Sequence, residues 1–191
     1  MFNFYKLIEL IVSVQLLVIT TMLPVYIPLQ FIDKSINNFD IPITWQVPTI
    51  ILLTVIFDKK VVFRAFSIYI ILGLFVTPVF HQGGSLGYLL TPNFGYLLGI
   101  YPLVKIIDNL NNRNNISFVN FLKYGFLGII SMHLTGIFYN LIQILFYSQF
   151  NIFLYNVGKY SIGKIGYHFL MLFPLFLVIK PIKRLKIANN D

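Results

Sequence analysis

Six apolar segments, separated by short polar breaks, dominate the chain. They cover residues 5–23, 46–57, 61–77, 93–107, 119–147 and 162–179. Most of them approach the ~20 residues that a membrane-spanning helix needs, and 46–57 is the shortest. Prolines, glycines and charged residues concentrate in the breaks between them. The pattern predicts an all-α integral membrane protein, a compact bundle of about six transmembrane helices.

Two breaks differ from simple polar turns. Residues 25–45 mix apolar residues with Asp33, Lys34 and Asp40, which predicts a loop with an interfacial piece. Residues 83–99, GGSLGYLLTPNFGYLLG, carry five glycines, one proline and one asparagine between apolar runs. Non-helical backbone at membrane depth is tolerated only where protein buries it or where it lines a cavity. The glycine-rich segment is therefore where we expect a ligand.

The composition supports a lipid environment. Of the 191 residues, 58% are hydrophobic and 10% are charged, whereas soluble domains carry roughly 25% charged residues. The length fits one membrane-embedded domain over residues 1–191. Pro24 and Pro28 follow the first segment where a signal peptide would have its small-residue cleavage site, so we expect an uncleaved first helix. The chain has no cysteine, which excludes disulfides and thiolate metal sites.

The net charge of +8 reflects basic residues that flank the apolar segments. We attribute it to membrane topology and expect no nucleic-acid partner, because Lys and Arg favour cytoplasmic loops. With both termini cytoplasmic, the outer side holds only Lys34, Lys159 and Lys164, and the other eleven Lys and Arg residues face the cytoplasm. This division predicts a multi-pass protein of the plasma (inner) membrane with the glycine-rich segment outside.

No catalytic constellation is evident, so the sequence does not indicate an enzyme. His81, His133 and His168 each lack a His, Asp or Glu three or four residues further on, where metal ligands on one helix face would lie. We expect packed or hydrogen-bonded histidines, with His81, beside the glycine-rich segment, as the best candidate for a ligand contact. Without a Walker motif the chain cannot drive uptake by hydrolysing ATP itself. No cofactor is indicated.

The glycine-rich segment contains two kinds of candidate. Asn93 follows a proline at the start of the fourth segment, where it could cap the helix. Its amide could equally donate to and accept from an amide-like or urea-like ligand group. Gly84 permits close backbone approach. Gly95 and Gly99, four residues apart, predict close helix packing.

Lys164 lies near the outer end of the last segment. It could snorkel to the membrane interface, or it could bind a ligand carboxylate. Trp45, Tyr88 and Tyr96 are expected in the interfacial belt or in packing, although any of them could stack on a ligand ring.

Three stretches resemble the biotin transporter S components of the BioY family. They are DIPITWQVPTIIL at 40–52, YIILGLFVTPVFHQGG at 69–84 and LTPNFGYLLG at 90–99. The family shows P-I-T-x-Q before its second helix, G-x-x-x-x-P-V-F-x-x-G-G after its third and P-[TN]-x-G-[YF]-L-x-G opening its fourth. The resemblance covers about residues 24–108.

The resemblance implies a six-helix substrate-binding subunit of an energy-coupling factor (ECF) transporter. Such subunits bind a vitamin in an outward-facing pocket and dock onto a transmembrane coupling subunit that carries two ATPases. Asn93 would contact the ureido ring of biotin, and loops 30–45 and 81–90 would close the site. The sequence leaves open whether the chain acts alone, as a homo-oligomer or only with the ATPase module.

The C-terminal part departs from the family pattern. The family has G-D-x-x-K at the start of its sixth helix, where this chain has Gly163-Lys164-Ile165-Gly166-Tyr167. Lys164 or Tyr167 would then bind the ligand carboxylate. An S component for another vitamin-like ligand, or a structural protein that has lost transport, remain alternatives. The expected substrate-binding residues are Gln46, His81, Gly84, Asn93, Tyr96, Lys164 and Tyr167.

Overall fold

The computed structural model describes residues 4–28, 38–81, 83–111, 116–147 and 150–188. Within them, eight α-helices accompany one two-stranded sheet. In chain order the elements are α1 (Phe4–Met22), β1 (Pro24–Pro28), β2 (Asn38–Thr44), α2 (Gln46–Ile56), α3 (Lys59–Phe75), α4 (Pro92–Leu98), α5 (Ile100–Ile107), α6 (Phe118–Tyr147), α7 (Phe150–Val157) and α8 (Gly163–Ala188). Short 3-10 turns occupy Leu86–Leu90 and Asp108–Leu110, and a π-helical turn, Gly158–Ile162, joins α7 to α8.

Seven of these helices coincide with the six apolar segments, which confirms the prediction of a helical membrane bundle. The remaining helix, α7, lies in the break between the fifth and sixth segments, where no helix was predicted. Among the described residues, three stretches are long and apolar enough to cross a membrane, namely Phe4–Met22, Phe118–Leu145 and Phe150–Lys183. The fourth segment is divided between α4 and α5. Pro102 in α5 lacks the N–H that would bond to Leu98, and this missing bond accounts for the division.

The sheet was not predicted, and it lies where the sequence indicated a loop. β1 and β2 are antiparallel, with Pro24 opposite Thr44 and Pro28 opposite Asn38. The backbone N–H of Trp45 donates to the carbonyl of Leu23 at 3.1 Å and closes the base of the hairpin. Prolines in β1 obscure the strand pattern, yet they are tolerated because both strands of a two-stranded sheet are edge strands. The described part of loop 30–45 begins at residue 38.

Glycines allow α6 to pack closely on α4 and α5. A Cβ at Gly99 would overlap the backbone of Met132, and one at Gly95 would overlap the side chain of Tyr139. The prediction that Gly95 and Gly99 serve helix packing is therefore confirmed. On the opposite helix, a Cβ at Gly136 would overlap the ring of Tyr96. This glycine lets the Tyr96 ring lie directly on α6.

Two ion pairs join the elements at one end of the bundle. Lys6 contacts Asp58 at 3.1 Å, which links the start of α1 to the turn before α3. Lys59 contacts Asp108 at 2.8 Å, which links α3 to the end of α5. The start of α4 and the end of α1 lie at the opposite end. Lys6 and Lys59, two of the basic residues assigned to the cytoplasm, thus share one end of the bundle, while the orientation of the bundle in the cell stays a prediction.

Candidate functional site

A cavity of about 330 Å³ lies between the hairpin and the helices. Its walls come from α1, both strands of the hairpin, α2, α3, α4, α5, α6, the π-helical turn and α8, together with the loop after α3 and the 3-10 turn Leu86–Leu90. Thr21 and His168 both line it, although they lie 147 positions apart in the sequence. A binding site of this kind forms only when the whole bundle is assembled.

Five of the seven residues expected to bind substrate line this cavity. They are Gln46, His81, Asn93, Tyr96 and Lys164. His81 is exposed, while the other four are half-buried. The structure therefore gathers side chains from α2, α4, α8 and the loop after α3 into one place. Gly84 and Tyr167 are not among the lining residues.

Gly84 has a packing role. A Cβ at this position would lie 2.6 Å from the Cα of Pro78 and 2.5 Å from the carbonyl oxygen of Gly73. Its neighbour Gly83 has φ +112° and exchanges two backbone hydrogen bonds with Phe80, at 2.9 and 3.0 Å. Positive φ of this kind favours glycine. The two glycines hold the loop against α3 so that Phe80 can pack between Tyr69 and Tyr88.

Tyr167 lies behind the cavity wall. Its side chain packs against Val25 of β1 and Ile43 of β2, together with Met171. Of these residues only Ile43 lines the cavity. Tyr167 therefore anchors the hairpin on α8, and it does not share the cavity face of Lys164.

Asn93 is the second residue of α4, so the interpretation of Asn93 as the helix cap is wrong. The cap position belongs to Thr91, and Pro92 is the first helical residue. The Asn93 side chain instead hydrogen-bonds to Tyr88, whose hydroxyl is buried. Burial raises the pKa of Tyr88 well above its usual value, which keeps the phenol neutral. Asn93 and Tyr88 thus present a neutral polar pair to the cavity.

A second polar group comes from α1, α2 and α3. The Tyr69 hydroxyl lies 3.0 Å from the Thr21 hydroxyl, and both residues line the cavity. The Gln46 side chain interacts with the same Tyr69 hydroxyl, while its buried Nε2 has no acceptor in ideal hydrogen-bonding geometry among the described residues. A buried donor without a partner costs about 1–3 kcal/mol. A ligand oxygen beside Gln46 would remove this cost.

His133 and His168 belong to a hydrogen-bonded chain that crosses four elements. The Tyr96 hydroxyl lies 2.8 Å from the Ser161 hydroxyl, and Nδ1 of His133 lies 3.3 Å from the same oxygen. Nε2 of His133 lies 3.1 Å from Nδ1 of His168. The prediction of packed or hydrogen-bonded histidines is confirmed for this pair. This series of hydrogen bonds fixes Tyr96 to the π-helical turn, α6 and α8.

Two lysines and one aromatic ring complete the lining. Nζ of Lys164 lies 5.2 Å from the ring centroid of Tyr160, and Nζ of Lys159 lies 5.3 Å from the same centroid. All three residues line the cavity, and no carboxylate does so among the described residues. The site therefore favours a ligand that carries a negative charge.

Sequence reasoning missed several lining residues. All of them line the cavity. Tyr69, Lys159 and Tyr160 were not expected to bind substrate. Tyr88 was expected in the interfacial belt or in packing, with stacking on a ligand ring as the alternative, and His133 and His168 were expected to pack or to form hydrogen bonds. No local motif marks Tyr69, Lys159 and Tyr160, because the lining is assembled from elements that lie far apart in the sequence. A weak signal did exist, since polar residues are scarce in the apolar segments, and a buried polar residue in a membrane usually faces a partner or a cavity.

The chemistry available at the site is that of binding. The described residues contain no group of three or more His, Cys, Asp or Glu side chains that could hold a metal ion. The lining offers neutral amides, hydroxyls, aromatic rings and two cations. These groups suit a ligand with an apolar body, a polar amide-like group and an acidic group.

Comparisons with known proteins agree with the resemblance found in the sequence. The model of the BioY family matches residues 3–179. A curated protein described as "Probable biotin transporter BioY", from Lysinibacillus sphaericus, is 34% identical over 73 residues. That match covers 38% of this chain and 37% of the relative, so the alignment spans less than two-fifths of the relative's length. No solved structure matches the chain significantly. Since the family model covers nearly the whole sequence, the chain belongs to the BioY family.

Proposed function

We propose that this protein is the substrate-binding membrane subunit for biotin uptake, an S component of an ECF transporter. It binds the vitamin in an outward-facing pocket, the cavity between the hairpin and the helices. The observation that carries this proposal is the meeting of the Asn93 and Gln46 amides in one cavity of a BioY-family chain. Binding, without catalysis, is its role in the plasma (inner) membrane.

The polar groups of the cavity suit the ureido ring of biotin. A urea group has N–H donors and a carbonyl acceptor, and an amide side chain can pair with both. Asn93 supplies such an amide, and Nε2 of Gln46 is a buried donor that a ligand carbonyl would satisfy. The apolar lining from Val47, Leu97 and Ile100 suits the rest of the molecule. Burial of the ligand's aliphatic chain would contribute roughly 0.8 kcal/mol per methylene.

Partners follow from the same proposal. The chain has no ATP-binding motif of its own, so uptake needs a transmembrane coupling subunit and ATPase subunits. Exposed apolar residues on α1, such as Ile11 and Ile19, are available for lipid or for a partner helix. We propose that these partners, with or without a second copy of this chain, complete the transporter.

A different vitamin-like ligand is the second candidate. It is favoured by one observation, namely that Lys164 and Tyr167 stand where the family has G-D-x-x-K. Lys164 lines the cavity and Tyr167 does not. A changed charge at the site would change which ligand is preferred, even if the fold is conserved.

A ligand panel separates the candidates. Purified protein in detergent is titrated with biotin, desthiobiotin, thiamine and riboflavin, and heat of binding is recorded. We expect biotin to bind most tightly. Preference for another vitamin would support the second candidate. Binding of none of them, together with failure to co-purify with a coupling subunit, would favour a structural protein that has lost transport.

A further inference from the structure

The helix that leads into α8 contains one wide turn at the cavity. The π-helical turn Gly158–Ile162 interrupts an otherwise continuous apolar helix over Phe150–Lys183. In an α-helix, residues five apart point about 140° away from each other, because each residue turns by about 100°. A π-helical turn closes hydrogen bonds from i to i+5, so residues five apart come to lie nearly above one another. Such turns occur frequently at functional sites.

Lys159 lies in this turn, and Lys164 lies five positions later, in the first turn of α8. Both line the cavity, which a regular α-helix would not achieve. Their ammonium groups lie 5.3 and 5.2 Å from the ring centroid of Tyr160, which also lines the cavity. A ring face attracts cations at these distances. The Tyr160 ring therefore lies within reach of both cations, and Nζ of Lys159 also lies 5.7 Å from the ring centroid of Tyr155.

The charge around the two lysines is not neutralised by acids in the described part of the protein. The ion pairs found there join Lys6 to Asp58 and Lys59 to Asp108, at the opposite end of the bundle. Lys159 and Lys164 form none, and the described lining residues include no carboxylate. Lys164 is half-buried and Lys159 is exposed. An anion that enters the cavity would pair with both cations and stabilise them.

We propose that Lys159 and Lys164, aligned by the π-helical turn, form a two-lysine subsite that favours a ligand with a free carboxylate over its neutral derivatives. The inference rests on the proposed function, and it deepens that proposal by naming the chemical class of the ligand. It adds Lys159, and it explains why Lys164 is accommodated where the family has an acid. Neutral derivatives of the ligand bind more weakly because they leave both cations unpaired.

The test compares biotin with its methyl ester, which differs only in lacking the charge. Dissociation constants are measured by titration calorimetry on full-length protein in detergent. The variants are Lys159→Gln and Lys164→Gln, with Lys159→Arg and Lys164→Arg to restore the charge. Lys180→Gln is the matched control, because Lys180 lies on the same helix, is exposed and has its ammonium 5.7 Å from the ring centroid of Phe176, away from the cavity.

We expect the wild-type protein to bind the acid at least about tenfold more tightly than the ester, the scale of one charge-assisted hydrogen bond. Each Gln variant should lose most of this preference through weaker binding of the acid, and each Arg variant should regain part of it. Retained binding of the ester shows that a variant is folded. Equal affinity of the wild-type protein for acid and ester would overturn the proposal without any variant. A preference for the acid that neither Gln substitution reduces would also overturn it.

Failure of the biotin assignment gives a different result. If the wild-type protein binds neither biotin nor its ester, lipoate and pantothenate are compared with their methyl esters. Tight binding of one of these acids, with rejection of its ester, refutes biotin as the ligand and supports the two-lysine subsite. Binding of none of these carboxylates refutes both proposals.

Discussion

Nε2 of His133 on α6 lies 3.1 Å from Nδ1 of His168 on α8, so two buried imidazoles share one hydrogen bond across the bundle. One ring must donate and the other must accept. The Ser161 hydroxyl, 3.3 Å from Nδ1 of His133, continues the contact to the π-helical turn. This hydrogen bond joins α6 and α8, the two longest helices described, and both imidazoles line the cavity.

Removal of one imidazole should therefore be costly, while removal of both should not cost twice as much. We expect His133→Leu or His168→Leu to lower the free energy of unfolding by about 1–3 kcal/mol, because the remaining ring keeps an unsatisfied buried group. The double variant should lose less than the sum, by about 1 kcal/mol. Thermal unfolding of the four proteins in detergent measures this coupling. Strictly additive losses would show that the hydrogen bond contributes nothing.

Asn93 should be the main polar contact for the ligand. We expect Asn93→Ala to weaken biotin binding by at least ~1 kcal/mol, the usual scale of a lost hydrogen bond. Titration calorimetry provides the measurement. Asn109→Ala is the matched control, because Asn109 is exposed at the other end of the bundle and donates only to the carbonyl of Ile106, at 3.0 Å. Unchanged affinity in Asn93→Ala would remove Asn93 from the site.

Tyr167 should contribute to stability and not to ligand binding. Its side chain packs on Val25 and Ile43, outside the cavity. We expect Tyr167→Phe to leave the dissociation constant for biotin within about twofold of the wild-type value, and Tyr167→Ala to lower stability by ~3 kcal/mol through lost packing. A large loss of affinity in Tyr167→Phe, at unchanged unfolding temperature, would place its hydroxyl in the site after all.

Gly99 should be intolerant of even one methyl group. A Cβ there would overlap the backbone of Met132, which cannot move aside as a side-chain tip can. We expect Gly99→Ala to lower the free energy of unfolding by about 1–3 kcal/mol through overpacking. Gly166→Ala is the control, since nothing lies within 4 Å of a Cβ at that helical position. Its expected effect is neutral, or stabilising by up to ~1 kcal/mol. Equal stability of the two variants would contradict the close helix contact.

The orientation in the membrane can be tested because the chain has no cysteine. Leu86→Cys, near the cavity, and Lys60→Cys, near the ion pairs, are both exposed positions on described elements. With the cavity facing outward, a membrane-impermeant maleimide should label Leu86→Cys in intact cells and Lys60→Cys only after permeabilisation. The reverse pattern would refute the predicted orientation.

The helices could be predicted from the sequence because apolar runs of spanning length have few alternatives in a membrane. The predicted segments 46–57 and 119–147 differ from α2 and α6 by a single residue at one end. The hairpin could not be predicted in this way. Its prolines conceal the strand pattern, and its pairing joins residues that lie ten to twenty positions apart in the sequence.

The site was predicted only where a local motif marked it. Asn93 and Gln46 belong to such motifs, and both line the cavity. Tyr167 was paired with Lys164 because the two stand at the positions of the family's G-D-x-x-K element, but the hairpin covers Tyr167 on α8. Lys159 was missed because no motif marks it. It lies five positions before Lys164, and the π-helical turn that aligns the two is a local distortion that helical periodicity cannot reveal.

The cavity draws its walls from both the first and the last helix of the chain, through Thr21 and His168. A ligand that touches both residues links the two helices without a covalent bond. A free-ligand concentration of 100 times the dissociation constant would add ~2.7 kcal/mol to the free energy of unfolding. Because the N-terminal helices are synthesised first, the pocket is complete only after α8 has been inserted. On the proposed function, the pocket therefore binds its ligand only after this step, and a chain that ends before α8 lacks part of the site.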